Sequence, residues 1–298
     1  MTISDISNQG AASMTNKILV MGATGKVGQE VVKCLSKQHV KVKAAIHQQK
    51  NAALLANLGA EIVSLDINQP DTLKNAFSGV KKLFLLIPGA DSTKELTIAK
   101  QIIDYAQQVQ IENIVHLSGM GAEKYPEFSH VHIEKYLDTK NIPHIHLRPN
   151  FFMQNFNTIY LSHIQQKGLI NLYDADIPTS FIDTRDIGAV AAHCLLESYE
   201  CKTVTLTGSI GLNHAQVAEI LSKVSGRSIK YTAKSDEDSR MALRDCGWLD
   251  ADIEKFLLLC RVVQKGGFAP VCTDVADILG RAPILFQQYA ENHKDFWQ

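Results

Sequence analysis

KILVMGATGKVGQEVVKCLSK, residues 17–37, is the stretch on which the fold turns. The apolar run KILVM passes into Gly22, Gly25 and Gly28, and a helical pattern follows at once. A strand, a glycine turn and a helix in this order make a cradle for phosphate. Glycine lets the chain turn tightly and lets backbone N–H groups approach a pyrophosphate, which rests at the positive end of the helix. Thr24 and Lys26 add a hydroxyl and a cation, and Val27 opens the helix. A glycine pattern alone also suits an ordinary strand–helix turn, so its surroundings decide.

The surroundings repeat the motif's rhythm. Short apolar runs recur at VKVKAAI (40–46), EIVSL (61–65), KLFLLI (82–87), NIVHL (113–117) and HIHLR (144–148). Helix signals lie between them. Gly59 closes NAALLANL, Pro70-Asp71 opens the next segment, and Ile98, Ile102, Tyr105 and Val109 recur at helical spacing. This alternation predicts an α/β fold, a doubly wound parallel sheet of the Rossmann type with helices on both faces. FIDTRDIGAVAAHCLLE (181–197) reads as a strand end, a capped turn and a helix, and KTVTLTG (202–208) as a return to the sheet. NHAQVAEILSKVSG (213–226) runs from an Asn cap to a closing glycine, and the rest reads as mostly helical. The expected organisation is a flexible tail over 1–16 and a dinucleotide-binding domain over 17–149, to which 184–208 returns. Residues 150–183 and 209–298 then form a smaller, mainly helical domain covering the substrate.

Composition narrows the function classes. Thirty Lys and Arg against 31 Asp and Glu leave a net charge of -1, without the basic excess of a broad nucleic-acid footprint. A 45% hydrophobic share in 298 residues excludes disorder. Six scattered cysteines with no CxxC pair read as reduced thiols of a cytoplasmic protein. The longest charge-free run, 149–166, is broken by Gln, Asn, Thr, Ser and His, so no membrane span is expected. The N-terminus lacks the basic and apolar regions of a secretory signal.

The GxxGxxG spacing, with Thr24 before the middle glycine, resembles the extended and atypical short-chain dehydrogenases/reductases. VSLDINQPDTLKNAFSGVKKLFLL (63–86), HVHIEKYLDTKNIPHIHLRPNFFMQN (130–155) and ILGRAPILFQQYAENHKDFW (278–297) narrow the resemblance to the NmrA-like group. That group includes quinone, azo-dye and triphenylmethane reductases as well as non-catalytic redox sensors. The resemblance spans nearly all of 17–297.

An NAD site usually offers an acidic side chain about 20 residues beyond the glycines. Here none occurs between Glu30 and Glu61. The second strand ends at His47, where the resembled group commonly carries Arg for the 2′-phosphate. A mostly neutral imidazole is a weaker phosphate partner, and Lys50 can supply the charge. NADP(H) is therefore favoured over NAD(H), although both residues also suit a solvated loop. The resemblance places Asp66 and Ile67 near the adenine, while Asn68 and Pro70 make a turn-forming Asp66 equally natural. Ile87, Pro88, Gly89 and Ser118 stand at strand ends, where such sheets bind ligands.

Tyr136 and Lys140 spell the Tyr-xxx-Lys pair of many short-chain enzymes. Their helix has too few turns left before Arg148, so the pair reads as a decoy. Alignment on HIEKYL puts Pro126 at the tyrosine position and His130 at the lysine position. Tyr125, one residue off, would be rotated about 100° on a helix. The resemblance implies that His130 faces the nicotinamide ribose and that Glu134, four residues on, steadies it or the adjoining loop. These two are the expected catalytic residues. Asn150, Phe151, Phe152 and Met153 follow the sixth strand and are expected to border the nicotinamide.

His130, His132, His144 and His146 raise the question of a metal. His144 and His146 can share a strand face, but no Cys or carboxylate pattern completes a set, and no metal site is expected. Two classes remain open. One is a reductase passing hydride from NADPH to a small-molecule acceptor, a quinone, azo or similarly conjugated compound. The other is an NADP(H)-binding sensor that acts through a protein partner. A homodimer is compatible with either.

Overall fold

The computed structural model describes residues 17–47, 51–66, 68–87, 92–173, 177–197, 202–245 and 247–298. Among the described residues nine strands form in chain order: β1 (Lys17–Val20), β2 (Val42–Ile46), β3 (Glu61–Ser64), β4 (Val80–Leu85), β5 (Asn113–Leu117), β6 (His144–Pro149), β7 (Leu169–Tyr173), β8 (Thr203–Leu206) and β9 (Lys230–Lys234). Seven of them make one parallel sheet in the order β3-β2-β1-β4-β5-β6-β8. The order reverses between β1 and β4, the switch point of a Rossmann-type sheet, and the glycine turn lies there.

Twelve helices among the described residues connect and cover the strands: α1 (Lys26–Lys37), α2 (Ala52–Asn57), α3 (Pro70–Phe77), α4 (Ser92–Gln108), α5 (Ser129–Asp138), α6 (Leu161–Lys167), α7 (Thr184–Leu196), α8 (His214–Ser225), α9 (Asp236–Asp245), α10 (Asp250–Gln264), α11 (Asp274–Leu279) and α12 (Phe286–Asn292). Both faces are buried along the central strands, which is why their inner residues read as apolar runs such as LFL of β4, whereas β3 at the edge is part exposed. Along β1, Ile18 and Val20 enter the core under α1 and α7, while Leu19 enters the core under α3, α4 and α5. Phe84 of β4 joins the first core, and Leu83 and Leu85 join the second. Helices α1 and α7 approach closely at Gly188, where a Cβ would fall 2.5 Å from that of Glu30.

Caps set several boundaries. Asp183 accepts from the Arg185 N–H to start α7. Asn213 and Gln216 form a reciprocal capping box at α8, and Gly226 ends it in the left-handed region. The C-terminal part is not helical throughout. β7 and β9 pair in parallel as a separate two-stranded sheet within the mainly helical C-terminal part. Their core gathers Met153, Phe156, Phe181, Phe286, Tyr289 and Trp297 from distant parts of the chain. No helix among the described residues is long and apolar enough to cross a membrane.

Candidate active site

The glycine turn divides its labour among three residues. Gly22 has φ +64, a left-handed conformation that side chains rarely adopt. A Cβ on Gly28 would fall 2.2 Å from the Gly22 carbonyl oxygen, so this glycine lets α1 pack on its own loop. Gly25 differs. Its φ of -82 suits any residue, and a Cβ there meets only the Gly22 oxygen, at 3.2 Å. The space beside Gly25 is thus left clear of protein. Helix α1 has neither a side-chain cap nor an acidic residue in its first turn, so its leading N–H groups are offered to an outside anion.

Lys26 extends from this turn to donate to Asn155 Oδ1 at 2.9 Å. Burial lowers its pKa, and it has no carboxylate partner among the described residues. The Thr24 carbonyl accepts from Gln29 Nε2 and from Asn51 Nδ2, tying the turn to the segment beyond β2. His47 is exposed at the end of β2. The Asp66 carboxylate accepts from the Asn68 backbone and side chain and from Gln69, making the local turn. The backbone bond from Asn68 is the main reason its pKa lies below the ordinary value. Ile87 is half-buried just past β4. Lys50, Ile67, Pro88 and Gly89 lie outside the described residues.

Beyond the carboxyl ends of β5 and β6 opens a cavity of about 320 Å³. Ser118, Gly119, Met120, Tyr125 and Phe128 line one side, and Asn150, Phe151, Phe152, Asn155, Leu259 and Phe268 the other. His130 lines it from the first turn of α5. Burial pushes the His130 imidazole towards its neutral form, against the opposing charges of Glu95 and Glu134. Its Nδ1 is buried without a hydrogen-bond partner. A buried neutral imidazole with a vacant nitrogen can hold a hydroxyl group supplied by a ligand.

Asn150 is buried, and its amide is fully used. It donates to Ser180 Oγ (2.7 Å) and to the Phe268 carbonyl (2.9 Å) and accepts from the Phe151 N–H. It therefore pins two loops to the end of β6 and shapes the cavity wall. Phe151 packs edge-on to Phe268 with ring centres 4.9 Å apart, and Phe152 leans on the core under α1. Met153, expected at the cavity, turns instead into the C-terminal core and is 2% exposed.

Glu134 does not bond to His130. It pairs with Arg148 through two contacts of 2.9 and 2.5 Å, and Arg148 also holds Glu123. Burial works most strongly against the Glu134 carboxylate, but Arg148, Ser118 and His146 together outweigh it and hold the pKa below the ordinary value. Tyr136 faces α4, where its hydroxyl donates to Asp104 together with Lys140 Nζ at 2.6 Å. The Lys140 ammonium also lies 4.3 Å over the ring. Tyr125 corrects the helix argument, because it precedes α5 in a loop and does line the cavity. A metal reading also gains a carboxylate that the spacing had not shown, since Asp138 lies beside His144 and His146.

Residues 14–245 match the NmrA-like family, and the chain belongs to it. It is 29% identical over 284 residues to the NAD(P)H azoreductase of Xenophilus azovorans, covering 93% of this chain and 97% of that relative. The NADPH-dependent quinone oxidoreductase of Escherichia coli, solved with NADPH, superposes with a TM-score of 0.81 at 23% identity. That match covers 93% of this chain and 99% of the other. The triphenylmethane reductase of Citrobacter sp., solved with NADP(H), gives a TM-score of 0.78 at 24% identity over the same shares. At these identities the solved structures establish the fold.

Proposed function

We propose that this protein is an NADPH-dependent reductase of quinone, azo or similarly conjugated acceptors. The carrying observation is one continuous arrangement: an uncapped helix start beside the clear space at Gly25, joined through Lys26 and Asn155 to an aromatic-walled cavity that holds a neutral, unpartnered His130. The likeness over nearly full length to an NAD(P)H azoreductase supports the reading.

In this reading the α1 N-terminus and the turn backbone bind the pyrophosphate, with Lys26 beside it. His130 holds a ribose hydroxyl, and Ser118 and Gly119 floor the nicotinamide end of the crevice. The cofactor supplies a hydride to the bound acceptor. Phe151, Phe152 and Phe268 stack flat conjugated rings and exclude water, so the main contribution is proximity and orientation. Delocalised acceptors carry the developing charge themselves. Solvent or the Tyr125 hydroxyl can then return the proton, and Tyr136 has no part in it. The 2′-phosphate preference rests on the missing acidic residue after β2 and on the His47 and Lys50 positions.

The test is NADPH oxidation by the purified protein across a panel of quinones and azo dyes, with NADH in parallel. Turnover with at least one acceptor, faster with NADPH, is expected. Tight NADPH binding with no turnover on any acceptor would overturn the reductase and favour a sensor.

A further inference from the structure

β6 presents Ile145 and Leu147 to the core under α1, so its alternate residues His144, His146 and Arg148 face α5. Asp138, at the end of α5, meets the first two. Its Oδ1 lies 3.0 Å from His144 Nε2 and 3.6 Å from His146 Nε2. All three ligand atoms lie within 4.8 Å of one another. The cluster sits at the start of β6, whereas the cavity opens beyond its other end.

We propose that Asp138, His144 and His146 bind one divalent transition-metal ion of the zinc type. The spacing suits it: ligands held about 2.0–2.1 Å from a tetrahedral ion lie about 3.4 Å apart. Proton accounting points the same way. His144 Nδ1 faces the Ile142 carbonyl at 2.8 Å, and a carbonyl only accepts, so that nitrogen carries the hydrogen. A neutral His144 then turns its Nε2 lone pair on a carboxylate oxygen, two acceptors face to face. Either a second proton or a metal ion resolves this.

His146 separates the two. Its Nδ1 is engaged by His116 Nδ1 at 3.1 Å, while its Nε2 is buried with no hydrogen-bond partner, aimed at the same Asp138 oxygen. A proton on His144 leaves that nitrogen only a 3.6 Å contact to Asp138, too long for a good hydrogen bond. An ion satisfies both rings at once, with the Ile142 carbonyl and His116 fixing their tautomers from behind. Local charge agrees, since Asp138, Glu134 and Glu123 outnumber the one guanidinium of Arg148 among them. The Asp138 side chain is 50% exposed, which gives an ion a way in and leaves room for water as a further ligand. Two imidazoles and a carboxylate with no thiolate suit Zn²⁺, and also Co²⁺ or Ni²⁺. The bound ion would clamp the end of α5, the helix that carries His130.

The full chain, stripped with a chelator, is titrated with Zn²⁺ by calorimetry and with Co²⁺ by visible absorption. One equivalent should bind, Co²⁺ should show a tetrahedral d–d spectrum, and Zn²⁺ should raise the melting temperature. Asp138→Asn and His144→Gln should each weaken binding tenfold or more and abolish the thermal gain. His163→Asn, at an exposed position of α6, should change nothing. Ring ¹⁵N NMR should show Zn²⁺ shifting His144 and His146, with His116 responding through the proton it shares with His146. Absence of binding, or affinity unchanged in Asp138→Asn, would overturn the site and leave an imidazolium–carboxylate pair.

Discussion

His130 and Tyr136 share a helix but not a direction. His130 stands in the first turn of α5 and lines the cavity, while Tyr136, six residues on, is held against α4 by Asp104 and Lys140. Six residues rotate about 600°, so one site cannot use both. His130→Ala should weaken NADPH binding or turnover roughly tenfold or more, about 1.4 kcal/mol for one hydrogen bond to a ligand. Tyr136→Phe should stay within a few-fold of the parent in the same steady-state assay. The reverse pattern would restore the Tyr-Lys mechanism. His130 was legible through the resemblance, by alignment on HIEKYL, while the short distance to Arg148 set Tyr136 aside. Tyr125 was not, because a helical ruler was laid over a residue that lies in a loop. Asp138 escaped for another reason: its carboxylate meets His144 and His146 only across the gap between helix and strand.

At the scale of elements, periodicity and caps carried most of the information. Strands buried on both faces read as apolar runs, and Pro70, Asn213 and Gly226 stand at the helix ends they signal. β7 and β9 show where this fails. LINLY (169–173) and KYTAK (230–234) are short, far apart and paired in parallel, so no turn signature joins them. KYTAK is also largely exposed, with no apolar alternation to mark it. The Lys26–Asn155 contact spans 129 residues and is equally silent in local patterns. What local physics dictates was readable, and what tertiary closure brings together was not.

On the whole-molecule scale, neutral histidines buried on folding tie stability to pH. Burial lowers the pKa of His214 to about 4 and also lowers that of His130. The unfolded chain protonates such groups near 6.5, so between that value and about 4 it binds more protons than the folded one. Stability therefore falls as pH drops through this window. At about 1.4 kcal/mol for each tenfold change, His214 contributes about 3 kcal/mol of the loss. Asp186, whose pKa burial raises, opposes it in part. Thermal melts should show a lower midpoint at about pH 5 than at about pH 7, with a shallower fall for His214→Phe, whose ring can stack on Tyr231. An identical acid limb in that variant would count against the assignment.

The same scale holds the central claim, that the crevice at the sheet's switch point takes a dinucleotide. Gly25 separates it from folding better than Gly22 or Gly28 can, because its φ is ordinary and a Cβ asks the Gly22 oxygen to give only a few tenths of an ångström, while the space beside it is the one claimed for the phosphates. The measurement is a calorimetric NADPH titration of the parent and of Gly25→Val, each first shown to be folded by its melt. The parent should bind at one site, and the variant, melting within a few degrees of it, should show no measurable affinity. Equal affinity in the two proteins would contradict the account.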